Sequence, residues 1–237
     1  MVVLLASPVA ADRTVPALPS QIPPATRQRL APVTERASVA ARVEGQPFRA
    51  RRDVFEYLLD HPDFATHLTR TIKAARYRIW AVPGGFGIDD GWGTIGTFEI
   101  VYVAPGIRVM HAQGEYHQKI LPNVRGQAVV TISYAATPAS GGASTIAAAV
   151  GSYVRLDGSI MAIAGRLASA VAHAKAEKEG HRLVKLFART TRVIEENPAA
   201  VCDALQRRPD VPRRELEEFR RLLNLPPGPG TAAAAPR

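Results

Sequence analysis

Four polar residues at alternate positions, His111, Gln113, Glu115 and His117, hold the densest run of potential chemistry in the chain. On a strand they share one face, because successive side chains point to opposite sides. A metal site is the sharpest reading of such a row. His111 and His117, however, sit about 20 Å apart at ~3.3 Å per residue, too far to chelate one ion. Glu115 with His117 reaches a single ion, but two ligands are too few for zinc. No metal is therefore expected. A solvent-facing polar stripe accounts for the row, since antiparallel sheets often wet one face. The alternative is a general acid or base role for His111 or Glu115 lining a cavity.

The other chemical candidates are thinner. Asp89 and Asp90 lie in the glycine-rich stretch Gly84-Gly-Phe-Gly-Ile-Asp-Asp-Gly91. It lacks the Gly-Lys-Ser/Thr and following helix of a phosphate loop, and reads as a hairpin loop or a flap at a cavity mouth. The single cysteine, Cys202, excludes an intramolecular disulfide and any multi-thiolate metal site. It reads as a small packed residue on a terminal helix. Nothing marks a nucleophile with its base, so no catalytic residue is assigned and no cofactor is implied.

The chain has 237 residues, 46% of them hydrophobic and 22% charged, with a net charge of +9. That suffices for one domain with a real core plus tails. Of 30 basic residues only five are lysines, and residues 1–52 carry +5 of the excess. Beyond residue 52 the chain is only mildly basic, with acids interspersed, so nucleic-acid binding is not expected. A weak attraction to an anionic membrane surface fits the charge at least as well. No run approaches the ~18 apolar residues of a spanning helix.

Residues 1–11 open with a short apolar run and close on Val9-Ala10-Ala11, like the end of a secretory signal, although no Lys or Arg precedes the run. Residues 12–37 are proline-rich and read as an extended linker without packing. Together these point to the periplasm, with the cytoplasm as the alternative.

The elements that must position the candidates follow from periodicity. Residues 38–44 alternate as a first strand, and Val54, Phe55, Leu58 and Leu59 recur at helical spacing before a break at His61-Pro62. Strands are expected over 75–82, 92–103, 107–117, 125–137 and 144–156. Their short connections favour an antiparallel meander. A helix starts after Asp157, with Ile160, Ile163, Leu167, Val171 and Ala174 in one stripe. The stripe of Leu183, Phe187 and Ile194 is rotated away from it, so a bend or break is expected at Gly180. Two helices, 198–206 and 212–225, and a low-complexity tail, 226–237, complete the chain.

This order, together with the phrase Asp53-Val-Phe-Glu-Tyr-Leu-Leu-Asp60-His-Pro-Asp-Phe64, resembles the START-like helix-grip superfamily, also called SRPBCC or polyketide-cyclase-like. The resemblance covers residues 38–180, leaving 181–225 as a helical extension. It implies an α+β fold in which a curved antiparallel sheet wraps a long C-terminal helix around an apolar cavity. It also implies a hydrophobic ligand such as a lipid, sterol, isoprenoid or aromatic polyketide.

The residues are compatible with that. Trp80, Phe98, Ile100, Met110, Ile132 and Tyr134 are large apolar groups on successive strands, and Ile163, Leu167 and Val171 face them from the helix among small neighbours. Small residues on a covering helix leave room for a ligand, while for any single one of these residues ordinary core is the better reading. The function expected is periplasmic binding or transfer of a hydrophobic small molecule or lipid. The alternatives are a cyclase- or aromatase-type enzyme on the same fold, or an envelope interaction module with an exposed apolar stripe on Leu216–Leu223 and no ligand. Oligomeric state is not legible.

Overall fold

Runs rich in Val, Ile, Thr, Phe and Tyr build one antiparallel sheet of eight strands. In this computed structural model the described residues are 17–117 and 123–228, with residues 158–172 given as main chain only. The strands are β1 (Val39–Glu44), β2 (Phe48–Ala50), β3 (Arg78–Val82), β4 (Gly85–Asp89), β5 (Thr94–Ala104), β6 (Ile107–Tyr116), β7 (Val124–Pro138) and β8 (Ser144–Leu156). Helix α1 (Pro24–Thr34) precedes them, and α2 (Arg52–Asp60) and α3 (Pro62–Thr71) separate β2 from β3. After β8 come α4 (Gly158–Glu196), α5 (Pro198–Gln206) and α6 (Arg213–Leu222). The spatial order is β1-β8-β7-β6-β5-β4-β3, with β2 also paired to β8, so β3 to β8 form a meander.

The sheet curls at a line of glycines. Gly96 pairs with Gly114, and Gly114 with Gly126, across three adjacent strands. A Cβ on Gly114 would fall 2.7 Å from the Ile95 carbonyl oxygen, and one on Gly126 would fall 2.6 Å from that of Arg155. Glycine in a strand marks such a tight bend. A bulge between Ile100 and Tyr102 adds twist and turns Tyr102 to the outer face.

Helix α4 lies across the concave face as one element of 39 residues. No proline interrupts it, and Gly180 is a point of close approach to Val43 rather than the expected break. The helix thus runs through Gly180 without a break. Val184, with Leu183 and Phe187 beside it, belongs to the core between helix and sheet, alongside Val43, Ile132, Ile146 and Val150. Phe55 of α2 sits at its hub, edge-on to Phe48, Tyr134 and Phe187 at centroid distances of 5.6, 5.1 and 5.4 Å. Such pairs contribute ~0.5–1.5 kcal/mol each beyond their burial.

The opposite side of α2 makes a second core. Val54 and Leu58 pack with Phe64 and Leu68 of α3, Ile194 of α4, and Leu205, Leu216 and Phe219 of the terminal helices. Pro62 begins α3, where a missing N–H costs nothing. Asn197 caps α5 by accepting from the Ala200 N–H at 3.0 Å. Leu216, Phe219 and Leu223 are buried, so the apolar stripe of α6 is spent inside the molecule and not exposed to a partner.

The N-terminal segment also differs from expectation. Over 24–34 it is a helix, not an unpacked linker, with Pro24 in its first turn. Ile22, Leu30 and Val33 pack on Val109 and Val129 on the convex side of the sheet. At the other end, Arg220 Nε donates to the Pro226 carbonyl at 2.9 Å, so the low-complexity tail starts out anchored. Residues 1–11, expected as a signal remnant, and 229–237 of the tail lie outside the described residues. No helix among the described residues is long and apolar enough to cross a membrane.

Candidate functional site

Register assigns each side chain to a face, because directly paired residues of an antiparallel sheet point the same way. Phe98 pairs with Phe86 on one side and Ala112 on the other, and Ile100 pairs with Met110, which pairs with Val130. The next concave row runs from Arg108 through Ile132 and Val150 to Val43. Phe98, Ile100, Met110, Ile132 and Tyr134 thus share the concave face, as their spacing on successive strands implies.

That face has two zones. Ile132 and Tyr134 are buried in the core sealed by Phe55, Val184 and Phe187. Phe86, Ile88, Phe98, Ile100 and Met110 are only half-buried. The rings of Phe86 and Phe98 stack with centroids 5.2 Å apart. The described side chains of α4 pack on β1, β2 and β8, the far half of the sheet. Ile163, Leu167 and Val171 belong to the stretch of α4 whose side chains lie outside the described residues.

Trp80 does not belong to the patch. It pairs with Gly87, and Gly87 with Thr97 and Thr97 with Gln113, which is the convex row. A Cβ on Gly87 would fall inside the Trp80 indole, so the ring lies over that glycine, 44% of the residue exposed. The stretch read as a loop or flap is strand β4, with Phe86 and Ile88 inward and Gly85 and Gly87 outward.

The polar row is also on the convex face. His111 Nδ1 lies 3.6 Å from Glu99, which holds Arg29 of α1 at 2.9 Å. Glu115 accepts from Arg125 at 2.8 Å and from Asn123 at 2.5 Å. Arg125 holds its carboxyl below the ordinary carboxylate range, which suits a fixed anion and not a proton donor. Neither His111 nor Glu115 can line the space between sheet and helix, so their acid–base role there is set aside. Among the described residues no three metal-ligating side chains gather to hold an ion.

Two polar clusters bound the concave face instead. At the closed end, buried Arg108 donates to both oxygens of Asp60 at 2.6 and 2.9 Å and to the Tyr134 hydroxyl at 3.3 Å. The Tyr134 hydroxyl donates to Glu56 at 2.8 Å. Burial first, and then this bond to Glu56, raise the tyrosine's pKa, so it stays a neutral donor. At the other end, Lys175 of α4 stands 4.0 Å over the Tyr116 ring and 3.8 Å from Asp90. Asp90 caps the turn before β5 by accepting from the N–H groups of Trp92 and Thr94. Sequence reasoning missed both clusters. Asp60 was legible only as part of a helix-end phrase, and Arg108 carries no local signal.

No protein-family model matches the chain, and no curated protein does. Solved structures are similar to part of the chain at low TM-scores. A conserved protein from Geobacillus kaustophilus is 15% identical with a TM-score of 0.36, covering 65% of this chain and 93% of its own. Ara h 8.0201 is 16% identical with a TM-score of 0.32, covering 67% and 99%. Norcoclaurine synthase from Thalictrum flavum is 15% identical with a TM-score of 0.34, covering 69% and 91%.

Proposed function

We propose that the chain binds a hydrophobic small molecule or lipid on the concave face of its sheet, beneath the first half of α4. The observation that carries this is the contrast between the two zones of that face. Where Val184 and Phe187 meet the sheet, Val43, Ile132, Tyr134, Ile146 and Val150 are buried. Across β4, β5 and β6, the stacked Phe86 and Phe98 with Ile100 and Met110 stay half-buried. A concave apolar surface with few polar groups at its ends is the usual form of a ligand site. Lys175 and Asp90 supply the polar end, and Ala112 and the glycine pair Gly96–Gly114 keep the floor low.

The role proposed is carriage rather than catalysis, because the described groups at the two ends are engaged in fixed ion pairs and hydrogen bonds. Export to the periplasm is part of the same proposal and rests on the sequence of residues 1–11. Native mass spectrometry of protein purified from its own source tests the binding. The expected result is a co-purified apolar species released on unfolding. Protein that carries none, and takes up none from a lipid extract, contradicts it.

A further inference from the structure

The outer face of α4 is a cationic ridge. At 100° per residue, Lys178, Lys185, Arg189 and Arg192 fall within a narrow strip about 20 Å long. All four are exposed, and the strip lies opposite Gly180, Val184 and Phe187, which bed the helix on the sheet. Between 178 and 192 the helix has one acid, Glu179, and it is already held by Arg182 at 2.6 Å and by the Tyr77 hydroxyl at 3.3 Å. Among the described residues Lys178, Lys185 and Arg189 have no ion-pair partner, and Arg192 reaches Glu196 at 3.8 Å. From 178 to 192 the strip carries cations alone, and the acid Glu196 follows at its C-terminal end.

The ridge is flanked by an aromatic. Arg182 lies 4.4 Å over the ring of Trp92, which is 40% exposed and rests edge-on against Tyr77. Exposed Arg76 packs beside Gly91, the residue before Trp92, and continues the positive surface. An indole half in water at the rim of a basic surface is the arrangement that suits a membrane interface.

We infer that this ridge docks the protein on an anionic bilayer surface. Charge complementarity and the flanking indole favour a bilayer over a nucleic-acid duplex. Docking would set the outer face of the helix against the lipid whose inner face closes the concave side. The inference does not require the ligand reading, because it concerns protein without ligand.

The test is co-sedimentation of the full chain with phosphatidylglycerol-containing vesicles and with pure phosphatidylcholine vesicles. Binding to the anionic vesicles only is expected. Lys178→Gln, Lys185→Gln and Arg189→Gln together should weaken it roughly a hundredfold, at about fivefold per cation. Should that triple variant fold poorly, Lys185→Gln alone carries the test, with a loss of about fivefold. In Trp80→Phe protein the remaining Trp92 emission should shift to the blue on anionic vesicles alone. Phe98→Lys protein should still bind vesicles, which separates this inference from the ligand reading. Failure of the wild type to bind anionic vesicles overturns it, as does undiminished binding by the glutamine variants. Tighter binding to a DNA duplex than to vesicles, lost with the same three residues, also overturns it.

Discussion

Gly180 of α4 and Val43 of β1 touch: a Cβ placed on Gly180 would lie 2.9 Å from Val43 Cγ2 and 3.1 Å from its Cβ. Two residues further along, just past the end of β1, Gly45 meets Val184 in the same way, its added Cβ 2.9 Å from that side chain. The two glycines let the helix lie against the edge of the curled sheet.

Gly180→Ala therefore sets two effects against each other. Helix propensity gains about 1 kcal/mol, while overpacking costs roughly 1–3 kcal/mol. Val43 is buried and stiff about χ1, so it cannot swing aside. A net fall in melting temperature of about 2–6 °C is expected for a chain of this size. A rise would show that the helix end is free to shift.

The Arg108–Asp60 pair ties the end of α2 to β6. Removing one partner strands the other: Asp60→Ala leaves a buried guanidinium and should cost about 2–4 kcal/mol, below the fully buried case because Asp60 is partly in water. Asp60→Leu with Arg108→Met should cost less than Asp60→Ala alone. Denaturant titration of wild type and the two variants checks this, and a double variant less stable than Asp60→Ala would contradict it.

Cys202 is fully buried among Leu205, Phe219 and their neighbours, and burial pushes its thiol up to about 11. Near neutral pH it is a protonated thiol without access. A maleimide reagent should label it only as fast as the terminal helices open, and at once in denaturant. Rapid labelling of native protein would mean that α5 and α6 are not docked.

The N-terminal segment separates export from packing. Mature protein sequenced from its source should begin near Ala11 or Asp12, and Met1 retained in a cytosolic fraction would contradict export. Deletion through Glu35 removes Ile22, Leu30 and Val33 from the convex face and should cost several kcal/mol, at ~1.5–3 kcal/mol per buried aliphatic side chain.

What the sequence made legible followed periodicity. Strands β5 to β8 and the helix pair α2–α3 lie within a few residues of their expected positions, because alternation and the 3.6-residue repeat are local signals. Facing is not local. Residue type alone puts Trp80 among the large apolar groups of successive strands, and its face depends on the glycine-rich stretch that follows. Once that stretch is strand β4, the parity of β3 relative to β5 reverses and Trp80 turns outward. Helix α1 was hidden by its prolines, Pro24 and Pro32, although Leu30 and Val33 on one side give it a reason to pack. Gly180 signalled a break by composition, and its reason, the proximity of Val43, exists only in three dimensions. Asp60 and Arg108 are 48 residues apart in sequence, and no local pattern joins them.

The concave-face site is tested most directly by uptake of a neutral apolar fluorophore, N-phenyl-1-naphthylamine, which the cationic ridge does not attract. The folded wild type should bind it at a defined stoichiometry with a blue-shifted emission. Phe98→Lys, on the concave face, should weaken that binding at least about tenfold, the order expected for placing a charge in an apolar site. Trp80→Ala, on the convex face, should leave it unchanged. A wild type that takes up no probe, or binding that survives Phe98→Lys and is lost with Trp80→Ala, would contradict the account.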